Sequence, residues 1–246
     1  MFRFALLGAL CTSAVTVLAA PSLPPRIILV GDSTMAPRTG YGEALCARFE
    51  PRVACLNLAR GGRSTGSYRA EGLWNKVQEQ LRDTGAHSAS YVLIQFGHND
   101  QPGKPGRSTD LVTQYPANLA RYVSNTRALG AVPILVTPLT RRSFRGAWLH
   151  DDLAPWSATV RAIAREHKVD LLDLNKLSMA AVQAMGTAQA DTLAQDPPPK
   201  DALIDGRKSA FDYTHVGPKG AELFSSIVVK DLLRLRPALA ASLRQQ

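Results

Sequence analysis

The sequence lacks the short motifs that mark several classes of protein. It has no basic run of five residues, no paired Cys-x-x-Cys and no aromatic RNA-binding strand, so we expect no nucleic-acid partner. It has no His-Glu-x-x-His or similar metal-ligand spacing, and we expect no metal ion. It also lacks an internal repeat and any linker long enough to divide the chain. One domain is therefore the expectation for most of the 246 residues.

A long apolar run occurs at the start of the chain. Residues 1–20 contain the early cation Arg3, then an apolar stretch, then small residues. This order is typical of a signal peptide, whereas the stretch is too short and too interrupted for a membrane span. We therefore expect a mature domain of residues 21–246 that is exported to the periplasm or beyond, without stable membrane insertion.

Cysteine is scarce, and removal of the signal peptide leaves Cys46 and Cys55. An exported protein can form a disulfide between them. Two buried free thiols fit the sequence equally well, so both alternatives stay open.

The chain is basic, with 29 Lys and Arg against 20 Asp and Glu and a net charge of +9. A positive field concentrates polyanions near a protein. For an exported protein, an acidic polysaccharide is the natural polyanion, although the charge could equally serve solubility alone.

Apolar runs and helical patterns alternate along the chain. The runs are continuous, as in strands covered on both faces by helices. The pattern predicts a doubly wound α/β domain with a five-stranded parallel sheet. The predicted strands are 26–31, 53–58, 91–97, 132–137 and 169–174, and the predicted helices are about 41–50, 70–82, 115–129, 155–167 and 217–235. Residues 101–110 and 187–210 are rich in turn formers and are predicted to be surface loops.

Polar residues follow several of these strands. Ligands of open parallel sheets bind at the carboxyl ends of the strands, so Ser33 after the first strand and Asn99 after the third should lie at one edge. Asp212 and His215 are three residues apart, which lets one loop present both side chains. A serine, a histidine, a carboxylate and an amide are the groups that a serine hydrolase needs.

Another serine competes for the role of nucleophile. Residues 62–66 fit Gly-x-Ser-x-Gly, the nucleophile elbow of α/β-hydrolases, with Ser64 at the centre. That elbow normally follows more than two strands, and the chain has no upstream His-Gly-Gly oxyanion loop. We therefore favour Ser33.

Four segments resemble the sequence blocks of the SGNH (GDSL-like) hydrolase superfamily, especially its rhamnogalacturonan acetylesterase branch. They are GDSTMA from residue 31, ARGGRS from 59 with SYRAEG from 67, FGHND from 96 and DYTH from 212. The blocks occur in the order of the superfamily and span residues 31–215. The resemblance implies a three-layer α/β/α sandwich of the flavodoxin-like type.

The resemblance also implies roles for individual residues. Ser33 would be the nucleophile, and Asp212 and His215 would complete the triad. The oxyanion hole would combine the main-chain N–H groups of Ser33 and Gly62 with the Asn99 amide, although Gly61 is an alternative to Gly62. The reaction implied is removal of acetyl groups from an acidic cell-wall polysaccharide, with no cofactor.

Broader functions remain open from the sequence. A GDSL esterase, lipase or thioesterase acting on small acyl esters, or an acetyl xylan esterase, carries the same blocks. A flavodoxin-like module holding a phosphate at residues 32–34 would be a binding protein, but it would leave Asn99, Asp212 and His215 unexplained. The sequence does not indicate an oligomeric state.

The remaining polar residues have structural or solvent-facing interpretations. Asp32 is expected to cap a turn and His98 to be a hydrogen-bonded structural histidine, while the cluster at 150–152 is expected to be solvated. Arginine forks bind carboxylates well, so three further residues are candidates for substrate binding. These candidates are Arg63, Arg141 and Arg142.

Overall fold

The computed structural model describes residues 23–83, 85–195 and 211–245. The strands are β1 (Arg26–Gly31), β2 (Ala54–Asn57), β3 (Ser90–Gln95), β4 (Val132–Val136), β5 (Phe144–Arg145), β6 (Trp148–Leu149) and β7 (Asp170–Leu172). The helices are α1 (Gly42–Cys46), α2 (Thr65–Ala70), α3 (Leu73–Arg82), α4 (Gln114–Ala128), α5 (Ala154–Glu166), α6 (Leu174–Asp191) and α7 (Pro218–Leu235), followed by a short 3₁₀ helix at Pro237–Ser242.

Five strands form one parallel sheet in the order β2-β1-β3-β4-β7. The strand order is the flavodoxin-like one, with β1 and β3 as central neighbours. Gly31 pairs in register with Gln95, so β1 and β3 end at the same level. The predicted doubly wound fold with a five-stranded parallel sheet is confirmed.

Two apolar layers cover the sheet, as the continuous strands require. On one face, alternate strand residues such as Ile27 and Leu29 pack against α1, α6 and α7. On the other face, Ile28 and Val30 pack against α2, α3, α4 and α5. Successive residues of a strand point to opposite faces, which is why each strand is apolar throughout. The result is the expected three-layer sandwich.

The structure departs from the predicted elements in several places. Helix α2 (Thr65–Ala70) was not predicted. Helix α6 was not predicted, and it extends to Asp191, inside the stretch predicted as a loop from 187. Gly186 has a φ of 70° and kinks this helix. A small hairpin of β5 and β6 also went unpredicted. Residues 196–210 of the predicted loop lie outside the described residues, as does the predicted signal peptide.

Two further features of the fold bear on open points of the sequence. Cys46 at the end of α1 and Cys55 in β2 form a disulfide, so the free-thiol alternative is wrong. Among the described residues, no helix combines the length and apolar character needed to span a membrane.

Candidate active site

Ser33 lies in a tight turn directly after β1. The Asp32 carboxylate caps this turn, as predicted, by accepting hydrogen bonds from the Thr34 N–H at 2.9 Å and the Thr34 hydroxyl at 2.8 Å. The Thr39 hydroxyl donates to the Ser33 carbonyl at 2.7 Å. Ser33 is only 8% exposed, and its hydroxyl has no hydrogen-bond partner among the described residues. The hydrogen bond from the Ser33 hydroxyl to His215 that a triad would need is therefore not formed here. In serine hydrolases this bond is often long until substrate binds.

Three buried polar side chains, joined by hydrogen bonds, stabilise this turn. Tyr41 donates to the Gln95 side chain at 2.7 Å, and Gln95 donates to the Thr34 hydroxyl at 2.7 Å. Because all three side chains are fully buried, they fix the turn at the end of β1.

His98 is buried beside Asp32, with 3.4 Å between its Nδ1 and the Asp32 Oδ2. Neither ring nitrogen meets hydrogen-bond geometry with the described residues, so the expected hydrogen bond is not formed. Burial by itself would raise the pKa of Asp32, but the neighbouring His98 and the bonds from Thr34 outweigh it, and the pKa is lowered. His98 therefore has a structural position.

Asp212 and His215 meet in the loop before α7. The His215 Nδ1 lies 2.6 Å from one Asp212 oxygen. The other oxygen accepts the main-chain N–H groups of Thr214 at 2.8 Å and His215 at 2.9 Å. Burial would raise the pKa of Asp212, yet these bonds together with His215 lower it, so the carboxylate stays ionised. This is the geometry that holds an imidazole in one tautomer.

The loop that carries Asp212 and His215, called the histidine loop below, is hydrogen-bonded to the turn that carries Ser33, called the serine turn. The Val216 N–H donates to the Thr39 carbonyl at 3.0 Å, and the Thr39 hydroxyl holds the carbonyl of Ser33. His215 adjoins Val216, so two hydrogen bonds bring the two predicted triad members into one neighbourhood although they are far apart in sequence.

Arg142 is buried beside the histidine loop and donates hydrogen bonds to its main chain. Its Nη2 donates to the carbonyls of Asp212 at 2.6 Å and His215 at 2.8 Å, and its own N–H donates to the Tyr213 carbonyl at 2.9 Å. Burial lowers the pKa of Arg142 to about 10, with the charge of Asp212 opposing the change. The guanidinium therefore remains charged at neutral pH.

The prediction that Arg142 binds substrate is wrong, because the residue is 0% exposed and turned to the backbone. The other two candidate arginines are engaged within the protein. Arg63 binds Glu71 with two nitrogens at 2.8 and 2.7 Å, and Arg141 pairs with Asp152. Both remain partly exposed, so their contact with substrate stays a prediction.

Arg141 joins three loops around the site. Its Nε donates to the Thr214 hydroxyl at 3.1 Å, and its Nη2 donates to the Gln101 side chain at 2.9 Å. Asp152, predicted to be solvated, is the third partner and is partly buried. The histidine loop is thereby linked to the segment that follows Asn99.

Gly62 lies in a turn that has a left-handed conformation, with a φ of 77°. Glycine adopts this conformation without a steric penalty. Arg63 reaches back across the turn and donates to the Gly61 carbonyl at 2.7 Å. The main-chain N–H groups of Ser33, Gly61 and Gly62 have no acceptor among the described residues. They are free to bind an oxyanion, and the choice of Gly62 over Gly61 stays a prediction.

Asn99 is 6% exposed, and its amide is fixed against the same turn. One amide N–H donates to the Arg63 carbonyl at 3.1 Å. An amide has two N–H donors, so the second is available to a ligand. The bond to Arg63 also places Asn99 next to Gly62 in space.

Asp100, the next residue, locks this arrangement in place. Its carboxylate accepts the Thr65 N–H at 3.0 Å, the Thr65 hydroxyl at 2.5 Å and the Thr109 hydroxyl at 2.9 Å. Burial raises the pKa of Asp100 to about 6, although these bonds lower it. Asp100 was not among the predicted site residues, although it is the last residue of the FGHND segment.

Ser64 does not act as a nucleophile elbow. It is 0% exposed and caps α2, where its hydroxyl accepts the Ser67 N–H at 3.2 Å while the Ser67 hydroxyl accepts the Ser64 N–H at 2.9 Å. This reciprocal pair is a capping box. Its burial leaves no path for a substrate, and the rejection of Ser64 at the sequence level agrees with its position.

Three cations near the serine turn were also missed. Arg38, Arg60 and Lys76 are exposed and line a cleft that reaches Gly61. Their signal in the sequence is position, since Arg60 lies inside ARGGRS while Arg38 and Lys76 lie shortly after GDSTMA and SYRAEG. As for metals, no cluster of three or more His, Cys, Asp or Glu suited to an ion occurs in the described part of the chain.

Comparison with known proteins finds one matching enzyme family and several relatives named as acetylesterases. A model of the GDSL-like lipase/acylhydrolase family matches residues 29–223. The rhamnogalacturonan acetylesterase RhgT of Bacillus subtilis (strain 168) is 30% identical over 222 residues, which cover 86% of this chain and 91% of RhgT. YesY of the same organism, named a probable rhamnogalacturonan acetylesterase, is 28% identical over 225 residues, which cover 89% and 97%.

A solved structure shares the fold. The crystal structure of protein YxiM from Bacillus subtilis superposes with a TM-score of 0.68 at 23% identity. The match covers 87% of this chain and 58% of that one, so this chain spans little more than half of the YxiM structure.

Proposed function

Because the chain belongs to the GDSL-like lipase/acylhydrolase family, and is a carboxylic ester hydrolase, we propose that it removes O-acetyl groups from an acidic plant cell-wall polysaccharide. Rhamnogalacturonan is the favoured substrate, because RhgT and YesY carry that name and match nearly their whole length. The observation that carries the proposal is that Ser33 and Asn99 follow the paired strands β1 and β3, while two hydrogen bonds through Thr39 link the serine turn to the Asp212–His215 loop.

We propose Ser33 as the nucleophile and His215 as its base. The imidazole takes the hydroxyl proton as the Ser33 oxygen attacks the ester carbonyl. Asp212, ionised and 2.6 Å from Nδ1, keeps the Nε2 atom free to accept that proton. Arg142 is a positioning residue, because it holds both carbonyls of the loop and does not reach the ester.

The tetrahedral intermediate carries a negative charge on the former carbonyl oxygen. We assign its stabilisation to the free N–H groups of Ser33 and Gly62 and to the second N–H of Asn99. These donors are held in place before substrate arrives, because Arg63 and Asp100 fix the turn and the amide. Fixed donors cost no reorganisation during the reaction.

The second half of the reaction releases acetate. The sugar hydroxyl leaves with the proton from His215, and water then attacks the acetyl-Ser33 ester with His215 again as base. The cycle consumes one water and yields acetate and a free sugar hydroxyl.

Alanine substitution tests the nucleophile and the substrate together. We expect Ser33→Ala to abolish acetate release from acetylated rhamnogalacturonan, with the wild type active on that polymer and weaker on acetylated xylan. Fluorophosphonates should label the wild type and not this variant. Ser64→Ala serves as the matched control, which loses helix stability but keeps labelling at Ser33.

Other outcomes of this experiment would contradict the proposal. Loss of labelling in Ser64→Ala but not in Ser33→Ala would reverse the assignment. Equal rates on all acetylated polymers and on p-nitrophenyl esters would indicate a broader esterase. A yellow protein without esterase activity would favour the flavin- or nucleotide-binding alternative.

We also propose that the mature domain of residues 21–246 is exported. The pattern of residues 1–20 and the disulfide between Cys46 and Cys55 support this, since disulfides persist in oxidising compartments. The intact mass of the protein recovered from the periplasm or medium tests it. A mass that still includes residues 1–20 would contradict cleavage.

A further inference from the structure

A cleft of about 640 Å³ opens beside the serine turn. Its walls come from the turn after β1, the segment after β2 and the start of α3. The cleft reaches the nucleophile through Gly61, where an added Cβ atom would lie 3.8 Å from the Ser33 Cβ. Its volume falls within the range of about 300–1,000 Å³ that is usual for ligand clefts.

Among the described residues, the charged side chains that line this cleft are all positive. They are Arg38, Arg60 and Lys76, and none of the described lining residues is an Asp or a Glu. All three cations are exposed, and none forms an ion pair or donates a side-chain hydrogen bond to a described residue. Arg63, in contrast, is neutralised by Glu71. The cleft therefore presents three positive charges that no described residue neutralises, and at Gly61 it opens beside the nucleophile.

The backbone conformation of Arg38 bears on the choice of a test variant. Its φ is 70°, in the left-handed region. Glycine would adopt this conformation more readily than arginine. The other non-glycine residue with positive φ in the described part, Lys168, follows the last turn of α5, where such a conformation is common. Arg38 follows Pro37 in the turn that the Gly40 N–H closes on the Ala36 carbonyl at 3.0 Å, and a positive φ after proline is common in turns.

We propose that this cleft binds the carboxylate of a uronic acid residue of the polysaccharide whose acetyl group is bound at Ser33. The inference rests on the proposed function. Guanidinium forks bind carboxylates with two parallel hydrogen bonds, and the lysine adds a point charge. The remaining wall includes Pro37 and Leu73, which suit the C–H face of a sugar ring.

A binding experiment separates the carboxylate from the rest of the sugar. Ser33→Ala protein is titrated with de-acetylated rhamnogalacturonan oligosaccharide and with the same material after its carboxyl groups are reduced to alcohols. We expect the acidic ligand to bind about tenfold tighter or better. Arg38→Gly and Arg60→Gln, each added to Ser33→Ala, should bring this preference close to one.

Arg165→Gln is the matched control. It removes one positive charge from α5, on the part of the sheet near β4 and β7, and should keep the preference. The melting temperature of Arg38→Gly should equal or exceed that of the parent, because glycine relieves the backbone. If Arg38 had only a structural role, Arg38→Gly would not lose the preference for the acidic ligand while keeping its stability.

Three outcomes overturn the inference. They are equal binding of the acidic and reduced ligands, an unchanged preference in both cation variants, and an equal loss in the Arg165→Gln control. Absence of acetate release from acetylated rhamnogalacturonan by the wild type would instead contradict the proposed function. The binding preference does not depend on that reaction, so the two failures are distinguishable.

Discussion

The Asn99 side chain has two amide protons, of which one makes a structural hydrogen bond and the other is assigned to the oxyanion. The carbonyl of Arg63 takes one of them at 3.1 Å, which fixes the plane of the amide. The other is directed by that plane and by the burial of the residue. A donor held in this way acts on the oxyanion without first being ordered.

We expect Asn99→Ala to lower kcat by about 100- to 1,000-fold, because one oxyanion donor is worth roughly 3 to 4 kcal/mol. KM should change little, since the oxyanion forms after substrate binds. Steady-state rates on an acetyl ester measure both. A rise in KM with unchanged kcat would place Asn99 in ground-state binding instead.

Arg142 is the second residue with a testable role. Replacing it by Met keeps most of the volume but removes both bonds to the histidine loop. Small displacements of catalytic groups cost about 100-fold in rate, so we expect kcat to fall by that order while KM is retained. Arg142→Lys can still donate to the carbonyls and should recover part of the rate.

The control for Arg142 is a double-mutant cycle with His215→Ala. If Arg142 acts through the histidine, Arg142→Met should lower the rate little further once His215 is absent. Additive losses would show that Arg142 contributes in another way, for instance through global stability.

At the scale of the elements, parallel strand ends explain what the sequence could predict. β1 and β3 are continuous apolar runs that pair in register, so Ser33 and Asn99 meet at one edge. The sequence could not predict the role of Arg142, because its partners lie 70 residues or more away in the chain. Helix α6 was missed because Gly186 and many small residues weaken its apolar periodicity.

Asp100 couples two elements, the end of β3 and the start of α2. Its folded pKa of about 6 lies above the ordinary value of 3.8, with burial as the largest cause and Asp32 adding to it. The folded state therefore binds the proton more tightly than the unfolded state. Stability due to this group is present below the unfolded pKa and is lost as pH rises through about 6.

Comparison with Asp100→Asn isolates this contribution. Asparagine keeps an acceptor for Thr65 and Thr109 but does not titrate. We expect the stability of the variant relative to wild type to rise by about 3 kcal/mol between about pH 4 and pH 7, from two units of pKa. Urea unfolding at each pH measures it. Parallel pH curves for the two proteins would show that Asp100 does not titrate in this range.

At the scale of the whole molecule, the positive charge acts over a longer distance than the cleft. The net charge is +9 for the full sequence, and loss of Arg3 with the predicted signal peptide reduces it to +8. A field of this sign raises the local concentration of an acidic polymer and speeds its association. The chemistry at Ser33 acts on a neutral ester and does not depend on this field.

Salt should therefore act on binding and not on the chemical step. From about 0.01 M to about 1 M salt the Debye length falls from about 30 Å to about 3 Å, which removes long-range attraction. We expect KM for acetylated rhamnogalacturonan to rise by about tenfold over this range, with kcat nearly constant. The same polymer with reduced carboxyl groups is the control, and its KM should stay nearly constant. If both polymers show the same salt dependence, the positive field does not select the acidic substrate.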